Sequence, residues 1–188
     1  MLLDTLRPQR CPREDHANCV FHVSEVPDIG VFEPRRVAPS DESLVWAIDG
    51  EHLRNYLVPR ECPRVTFYAG PCTTVADRAR FLGLSPAVVA IETAWVERMR
   101  SCRLFCYHLP GDAFECIDET AGYYVSRVAV APAHVDVIED PVSALQQRGA
   151  ELRVLPTLAP LREAVIESTL EFSIIRWRNA AAVPGDHA

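Results

Sequence analysis

Cys19-Val20-Phe21-His22-Val23-Ser24 is the first stretch of the chain with a regular pattern. Its side chains alternate with the period of a β-strand, and Pro27 and Gly30 then interrupt the pattern. We therefore expect the first strand of the fold here. The alternation places His22 and Ser24 on the same face of that strand, so one ligand could contact both side chains. The alternative is that His22 is a core histidine satisfied by one hydrogen bond.

Further short runs rich in β-branched and aromatic residues predict strands at residues 44–48, 65–69, 87–91, 103–109, 114–117, 123–126 and 151–155. Short helices are predicted between them, with Asp49 and Asp140 as N-caps and with Gly83 and Gly149 just past helix ends. From Pro160 to about Ala181 an apolar stripe at helical spacing predicts one long C-terminal helix; its members are Leu161, Val165, Thr169, Phe172 and Ile175.

The irregular order of these elements predicts an α+β domain. We expect one mixed, largely antiparallel sheet with peripheral helices and the long C-terminal helix. Residues 1–17 are polar, contain two prolines and show no periodicity, so they are predicted to form an N-terminal arm before a single domain at residues 18–188. A chain of 188 residues has the usual size of one domain.

Charge and composition exclude several classes of protein. The net charge is −7 and no cluster of basic residues occurs, which argues against binding to a nucleic-acid backbone. All 19 basic residues are Arg, so no lysine can form a Schiff base, and no Gly-rich phosphate loop follows a predicted strand. No apolar run is long enough to cross a membrane. Seven cysteines without a secretory segment predict reduced thiols and a cytoplasmic protein.

Two groups of Cys and His residues raise the question of a metal site. Four possible ligands lie within residues 11–22, namely Cys11, His16, Cys19 and His22. Their spacing lacks the two tight pairs of a closed zinc site, so we predict no metal, although a thiol or zinc site stays an alternative. Cys102, Cys106 and His108 form the second group, and there we expect buried core thiols.

A resemblance follows from the order of the motifs. His22-x-Ser24 on a strand, then Trp46 on a strand followed by a helix, then residues 107–118 and 124–127, resemble the ADP-ribosyltransferase fold, and in particular the small rifamycin-type transferases. The chain also looks like an uncharacterised bacterial family. It shares with that family pieces at residues 21–25, 32–35, 45–48, 59–65, 122–126 and 168–179.

The resemblance implies NAD as cofactor and transfer of ADP-ribose to an unknown acceptor. Asp118 would stabilise the positive charge that develops on ribose, with Glu115 or Glu119 as substitutes, and His22 would hydrogen-bond a ribose hydroxyl. The implied cofactor contacts are Ser24, Trp46, Tyr124, Ser126 and Arg35, with Trp46 or Tyr124 stacking on nicotinamide. Phosphate contacts or surface salt bridges are both open for Arg60, Arg64 and Arg176.

A second interpretation keeps the fold without the catalysis. This would be a nucleotide-binding or regulatory module. The transferase interpretation requires the imidazole of His22, the indole of Trp46 and the carboxylate of Asp118 to surround one hollow.

Overall fold

The computed structural model describes residues 19–36 and 42–182. The predicted N-terminal arm, with Cys11 and His16, lies outside the described residues. Within them the strands are β1 Cys19–Ser24, β2 Arg35–Arg36, β3 Ser43–Ile48, β4 Arg64–Tyr68, β5 Ala87–Glu92, β6 Leu104–Pro110, β7 Glu115–Asp118, β8 Tyr123–Ser126, β9 His134–Ile138, β10 Ala150–Leu155 and β11 Glu171–Ile175. The protein is an α+β protein, as predicted.

The strands form two sheets rather than the single sheet that we expected. The first has the order β7-β8-β3-β1-β6-β9, with β2 also paired to β3, and all its pairs are antiparallel. The second has the order β10-β5-β4-β11, in which only β10 and β5 run parallel. Predicted strands alone could not separate these sheets, because strand pairing between distant segments leaves no signal in local periodicity.

The helices are short and lie beside or between the strands. They are α1 Val75–Asp77, which continues as a π-helical turn at Arg78–Leu82, then α2 Val96–Ser101, α3 Pro141–Gln147 and α4 Ala159–Ile166. Turns of 3-10 helix occur at His52–Tyr56, Thr93–Trp95, Gly111–Ala113 and Trp177–Asn179. None of the described helices combines the length and the apolarity that crossing a membrane requires.

Local capping agrees with the sequence. Asp49 Oδ1 accepts a hydrogen bond from the backbone N–H of His52 at 2.7 Å. Asp140 accepts from the N–H groups of Val142 and Ser143 at the start of α3. Gly83 and Gly149 both have positive φ, at 57° and 69°, as expected for residues that follow a helix.

The predicted long C-terminal helix is wrong. Helix α4 ends at Ile166, and residues 171–175 form β11, which pairs with β4. The Ser168 hydroxyl donates to the Val165 carbonyl at 2.7 Å and accepts from the Leu170 N–H at 3.2 Å, and so turns the chain away from the helix. Beyond this turn, the β-branched Ile174 and Ile175 favour a strand over a helix.

The core consists of three apolar layers. The middle layer joins the facing sides of the two sheets and includes Phe21, Ile48 and Cys106 from the first sheet and Val89 and Ile91 from the second. A second layer lies between the outer face of the second sheet and helices α1 and α4. The third covers the outer face of the first sheet, where Phe32 and Val130 pair through a short β-bridge.

A buried polar network joins the two sheets at one end of the middle layer. Both Asp49 carboxylate oxygens lie 2.9 Å from His52 Nδ1, and His52 Nε2 lies 2.8 Å from the Tyr68 hydroxyl on β4. Gly122, which has φ +68°, passes against this pair, and a Cβ atom there would collide with His52 Nδ1. A side chain at this position is therefore excluded by both its backbone angle and its neighbours.

We expect Gly122→Ala to lower the free energy of unfolding by about 2–4 kcal/mol, since it adds backbone strain to a steric clash. Gly30→Ala is the matched control, because no heavy atom lies within 4 Å of the Cβ it would add. Urea unfolding followed by tryptophan fluorescence measures both. Equal stabilities for the two variants would show that Asp49 and His52 can move aside for the added methyl group without loss of stability.

Candidate functional site

His22 occupies a gap in the first sheet. Strands β1 and β3 pair at Phe21 and Ile48, and beyond that point β2 takes over the pairing with β3. In the gap, His22 Nδ1 lies 2.9 Å from the Trp46 carbonyl oxygen. Since a carbonyl oxygen can only accept, Nδ1 carries the proton and donates it. The imidazole thus satisfies a backbone group that no neighbouring strand reaches.

The protonation state of His22 follows from its surroundings. Burial lowers the pKa of His22 below its ordinary 6.5, the bond to Trp46 opposes this effect, and the positive charges of Arg60 and Arg35 reinforce it. The ring is therefore neutral at pH 7, and Nε2 presents a lone pair. Nε2 has no hydrogen-bond partner among the described residues.

Two arginines carry positive charge near this imidazole. Arg35 on β2 and Arg60 in the loop before β4 are both exposed, and both act electrostatically on His22. Neither guanidinium forms an ion pair or a hydrogen bond with a described residue. A neutral acceptor near two positive charges that no described carboxylate pairs with is a suitable arrangement for binding an anionic ligand.

A surface depression lies beside the end of β1. It is lined by Ser24, Glu25, Val26, Pro59, Arg60, Glu61, Trp95 and Arg98. Ser24 is buried, and its hydroxyl accepts from the Val26 N–H at 3.0 Å, while Glu25 pairs with Arg98 and accepts from the Arg60 N–H at 2.9 Å. Of the predicted site residues, His22, Ser24 and Arg35 therefore lie at this end of the first sheet.

Trp46 does not face the same way as His22. In an antiparallel pair, opposed residues point to the same face and neighbours along a strand to opposite faces. Trp46 is two residues from Ile48, which opposes Phe21, so its indole shares the face of Phe21 and not that of His22. The ring contacts Tyr123 in a T-shaped pair, with centroids 5.9 Å apart.

Asp118 lies away from both side chains. It is exposed at the end of the edge strand β7, and three strand spacings of about 4.8 Å separate β7 from β1, which places Asp118 about 14 Å away. Its Oδ1 accepts from the Ala121 N–H at 2.9 Å, which closes the turn between β7 and β8. The structure therefore does not bring the two predicted catalytic residues together.

Tyr124 and Ser126 lie on β8, on the face of the sheet that His22 also uses. Two strand spacings separate β8 from β1, a distance of about 10 Å. Tyr124 packs against the apolar layer around Phe32, and the buried Ser126 hydroxyl donates to the Val128 carbonyl at 3.1 Å. Both side chains therefore make contacts within the fold, on a strand about 10 Å from β1.

No group of three or more His, Cys, Asp or Glu residues is arranged to hold a metal ion in residues 19–36 and 42–182. Burial raises the pKa of the Cys106 thiol to about 12, and that of Cys102 is raised too. Protonated, buried thiols are neither good nucleophiles nor good metal ligands, so these cysteines are core residues, as expected.

Two polar features of the structure were not predicted from the sequence. One is the Asp49, His52 and Tyr68 network, of which only the helix cap was predicted. The other is the burial of Arg64, which is 2% exposed although arginine is ordinarily a surface residue. The one sequence feature that could have indicated this burial is the position of Arg64 next to Pro63 at the start of an apolar strand.

The chain belongs to a family of unknown function (DUF6886), because the model of that family matches residues 21–180. The matched range includes each candidate site residue. No curated protein and no solved structure matches the chain. Membership in this family assigns no activity, so the function has to be argued from the geometry.

The shifted pKa of His22 makes stability depend on pH. Unfolded His22 takes up a proton near pH 6.5, whereas the folded protein resists it, so the unfolded state binds more protons below that pH. We expect the free energy of unfolding to decrease as the pH falls from about 7.5 to 5.5, with His22 contributing to this decrease. Denaturant titrations at several pH values measure this.

His22→Asn is the comparison for this experiment, because an amide N–H can still donate to the Trp46 carbonyl but does not titrate. Its stability should change less over the same pH range than that of the wild type. Identical pH profiles would mean that the folded protein accepts a proton on His22 without penalty.

Proposed function

We propose that the protein binds a nucleotide of the NAD type at the end of β1. The observation that carries this proposal is the Nε2 of His22, which has no hydrogen-bond partner among the described residues, near the guanidinium groups of Arg35 and Arg60, which no described carboxylate pairs with. A neutral imidazole accepts from a sugar hydroxyl, and guanidinium groups donate to phosphate oxygens. A nucleotide presents these two chemical groups next to each other.

A depression at the end of β1, which Ser24 lines and His22 does not, supplies an aromatic surface as well. Trp95 lines it together with Pro59 and the buried Ser24, and a base could stack on the half-buried indole. Trp95 thus takes the stacking role that the resemblance assigned to Trp46 or Tyr124. In this arrangement Trp46 acts through its backbone carbonyl, which holds the His22 ring in one orientation.

ADP-ribosyl transfer stays a further prediction of the resemblance. It needs a carboxylate close to the ribose carbon that loses nicotinamide. Asp118 lies about 14 Å from β1 by strand spacing, so the geometry supports binding more strongly than transfer. A nucleotide-binding module is therefore the function that we favour. Five of the described cysteines are free thiols, which supports a location in the cytoplasm; they are Cys62, Cys72, Cys102, Cys106 and Cys116.

Calorimetry with NAD and with ADP-ribose tests the binding. Each charged hydrogen bond contributes about 1.5–3 kcal/mol, so Arg35→Gln combined with Arg60→Gln should weaken binding by at least about tenfold. Arg78→Gln combined with Arg80→Gln removes the same charge from exposed positions on the π-helical turn at Arg78–Leu82, and should leave the affinity unchanged. Absence of binding to the wild type, or equal loss in both double variants, would remove the proposed site.

The release of nicotinamide from NAD tests the transfer chemistry. Because Asp118 lies far from His22, we expect Asp118→Asn to bind NAD with the wild-type affinity and to change any turnover by less than about twofold. A loss of turnover of about a hundredfold or more with intact binding would instead identify Asp118 as catalytic and favour the transferase.

A further inference from the structure

Arg64, the first residue of β4, is a buried cation without a counter-charge. It is 2% exposed. Its Nε donates to the Asn55 carbonyl at 2.9 Å, and Nη1 donates to the carbonyls of Cys62 at 2.9 Å and Arg60 at 3.4 Å. Among the described residues no Asp or Glu forms an ion pair with Arg64. No described residue accepts a hydrogen bond from its Nη2.

This arrangement is costly for the protein alone. Buried charges are ordinarily paired, because transfer of an ion out of water costs several kcal/mol. Burial lowers the pKa of Arg64 to about 10, so the guanidinium still carries its charge at neutral pH. The backbone carbonyls that accept from Arg64 carry no net charge, so they do not neutralise the guanidinium. The two N–H groups on its Nη2 belong to this unneutralised cation.

Besides the three carbonyls that accept from it, Arg64 has two tyrosines and a second cation around it. The Tyr56 ring centroid lies 5.3 Å from Arg64 Cζ, and the Tyr56 hydroxyl donates to that of Tyr123 at 3.3 Å. Burial raises the pKa of Tyr56, so its phenol keeps its proton. The Tyr123 hydroxyl proton in turn has no acceptor among the described residues, and the buried Trp46 Nε1, whose ring packs on Tyr123, likewise has none.

Arg176 completes the group. It acts electrostatically on both Tyr56 and Arg64, and its backbone has φ 55°, a conformation that a non-glycine residue rarely adopts. Arg176 Nε donates to the Arg60 carbonyl at 3.3 Å and faces Glu61 at 3.3 Å, and no described residue accepts from its Nη1 or Nη2. One glutamate thus serves Arg176 and Arg178 together, and Arg64 has none.

We propose that Arg64, Arg176 and the Tyr123 hydroxyl form a binding site for a phosphate group, with the Tyr56 hydroxyl donating to Tyr123 and leaving the Tyr123 proton for the phosphate. Two guanidinium groups and a hydroxyl donor match the several oxygens and the double charge of a phosphate better than the two oxygens of a carboxylate. The site does not depend on the proposed nucleotide site, because the side chains of Arg35 and Arg60 take no part in it.

Inorganic phosphate is the probe, compared with acetate and chloride at equal ionic strength. Phosphate should raise the melting temperature of the wild type in a saturable manner, and acetate and chloride should not. Arg176→Gln should weaken phosphate binding at least about tenfold, and Tyr123→Phe about threefold or more. Arg178→Gln is the control, because Arg178 lies on the same 3-10 turn with an exposed side chain and should bind phosphate as the wild type does.

Arg64→Gln gives the strongest test if it folds, and we expect it to abolish the phosphate effect. Where it does not fold, Arg176→Gln and Tyr123→Phe decide. Phosphate binding that survives in Arg35→Gln/Arg60→Gln supports this site whatever the result with NAD. The inference is overturned if phosphate stabilises the wild type no more than acetate, or if Arg176→Gln and Arg178→Gln bind it equally well.

Discussion

The apolar layer between the two sheets is the constraint on which the rest of the structure depends. Phe21 and Ile48 of the first sheet pack there against Val89 and Ile91 of the second, and all four are nearly or completely buried. Because side chains alternate along a strand, burying Phe21 in this layer directs His22 to the opposite face. A shift by one residue would exchange them. The hydrophobic register therefore places the candidate functional residues.

The candidate site arises where regular strand pairing stops. Beyond Ile48, β3 exchanges β1 for β2 as its neighbour, and the Trp46 carbonyl is bonded by a side chain, His22. A backbone carbonyl left unpaired inside a sheet is unfavourable, so the imidazole stabilises the fold and at the same time has its ring fixed. In the proposed function the two roles would use different nitrogens of one ring, because Nδ1 holds the Trp46 carbonyl and Nε2 would accept from the ligand.

Local features of the fold could be predicted from the sequence, since they depend on neighbours along the chain. The strands around His22 and Trp46, the Asp49 and Asp140 caps and the positive φ of Gly83 are examples. The prediction of a long C-terminal helix failed because the apolar residues of this segment fit both the helical period and the strand period. Leu161 and Val165 follow the helical spacing, whereas Phe172 and Ile174 equally fit a strand. The β-branched Ile174 and the available edge of β4 then favour the strand.

The candidate site was harder to predict than the fold, because it depends on which faces meet. A sequence shows that His22, Trp46 and Asp118 occur in a certain order, but the strand order puts two strands between the first and the last. The burial of Arg64 shows the same limit of prediction from sequence. Nothing in its type indicates burial. Its guanidinium is covered by the loop from Pro59 to Pro63, which folds back over the start of β4, together with Asn55 and Tyr56.

That covering has a physical consequence for function. The loop supplies backbone carbonyls to Arg64 but no carboxylate, so the protein holds a desolvated positive charge in place without neutralising it. A guanidinium fixed in this way loses little conformational entropy when an anion binds, and it has already lost its water. The energy spent on burying the charge during folding is thereby available as affinity for an anion. Satisfying Arg64 internally with an acidic residue would stabilise the fold and remove that affinity.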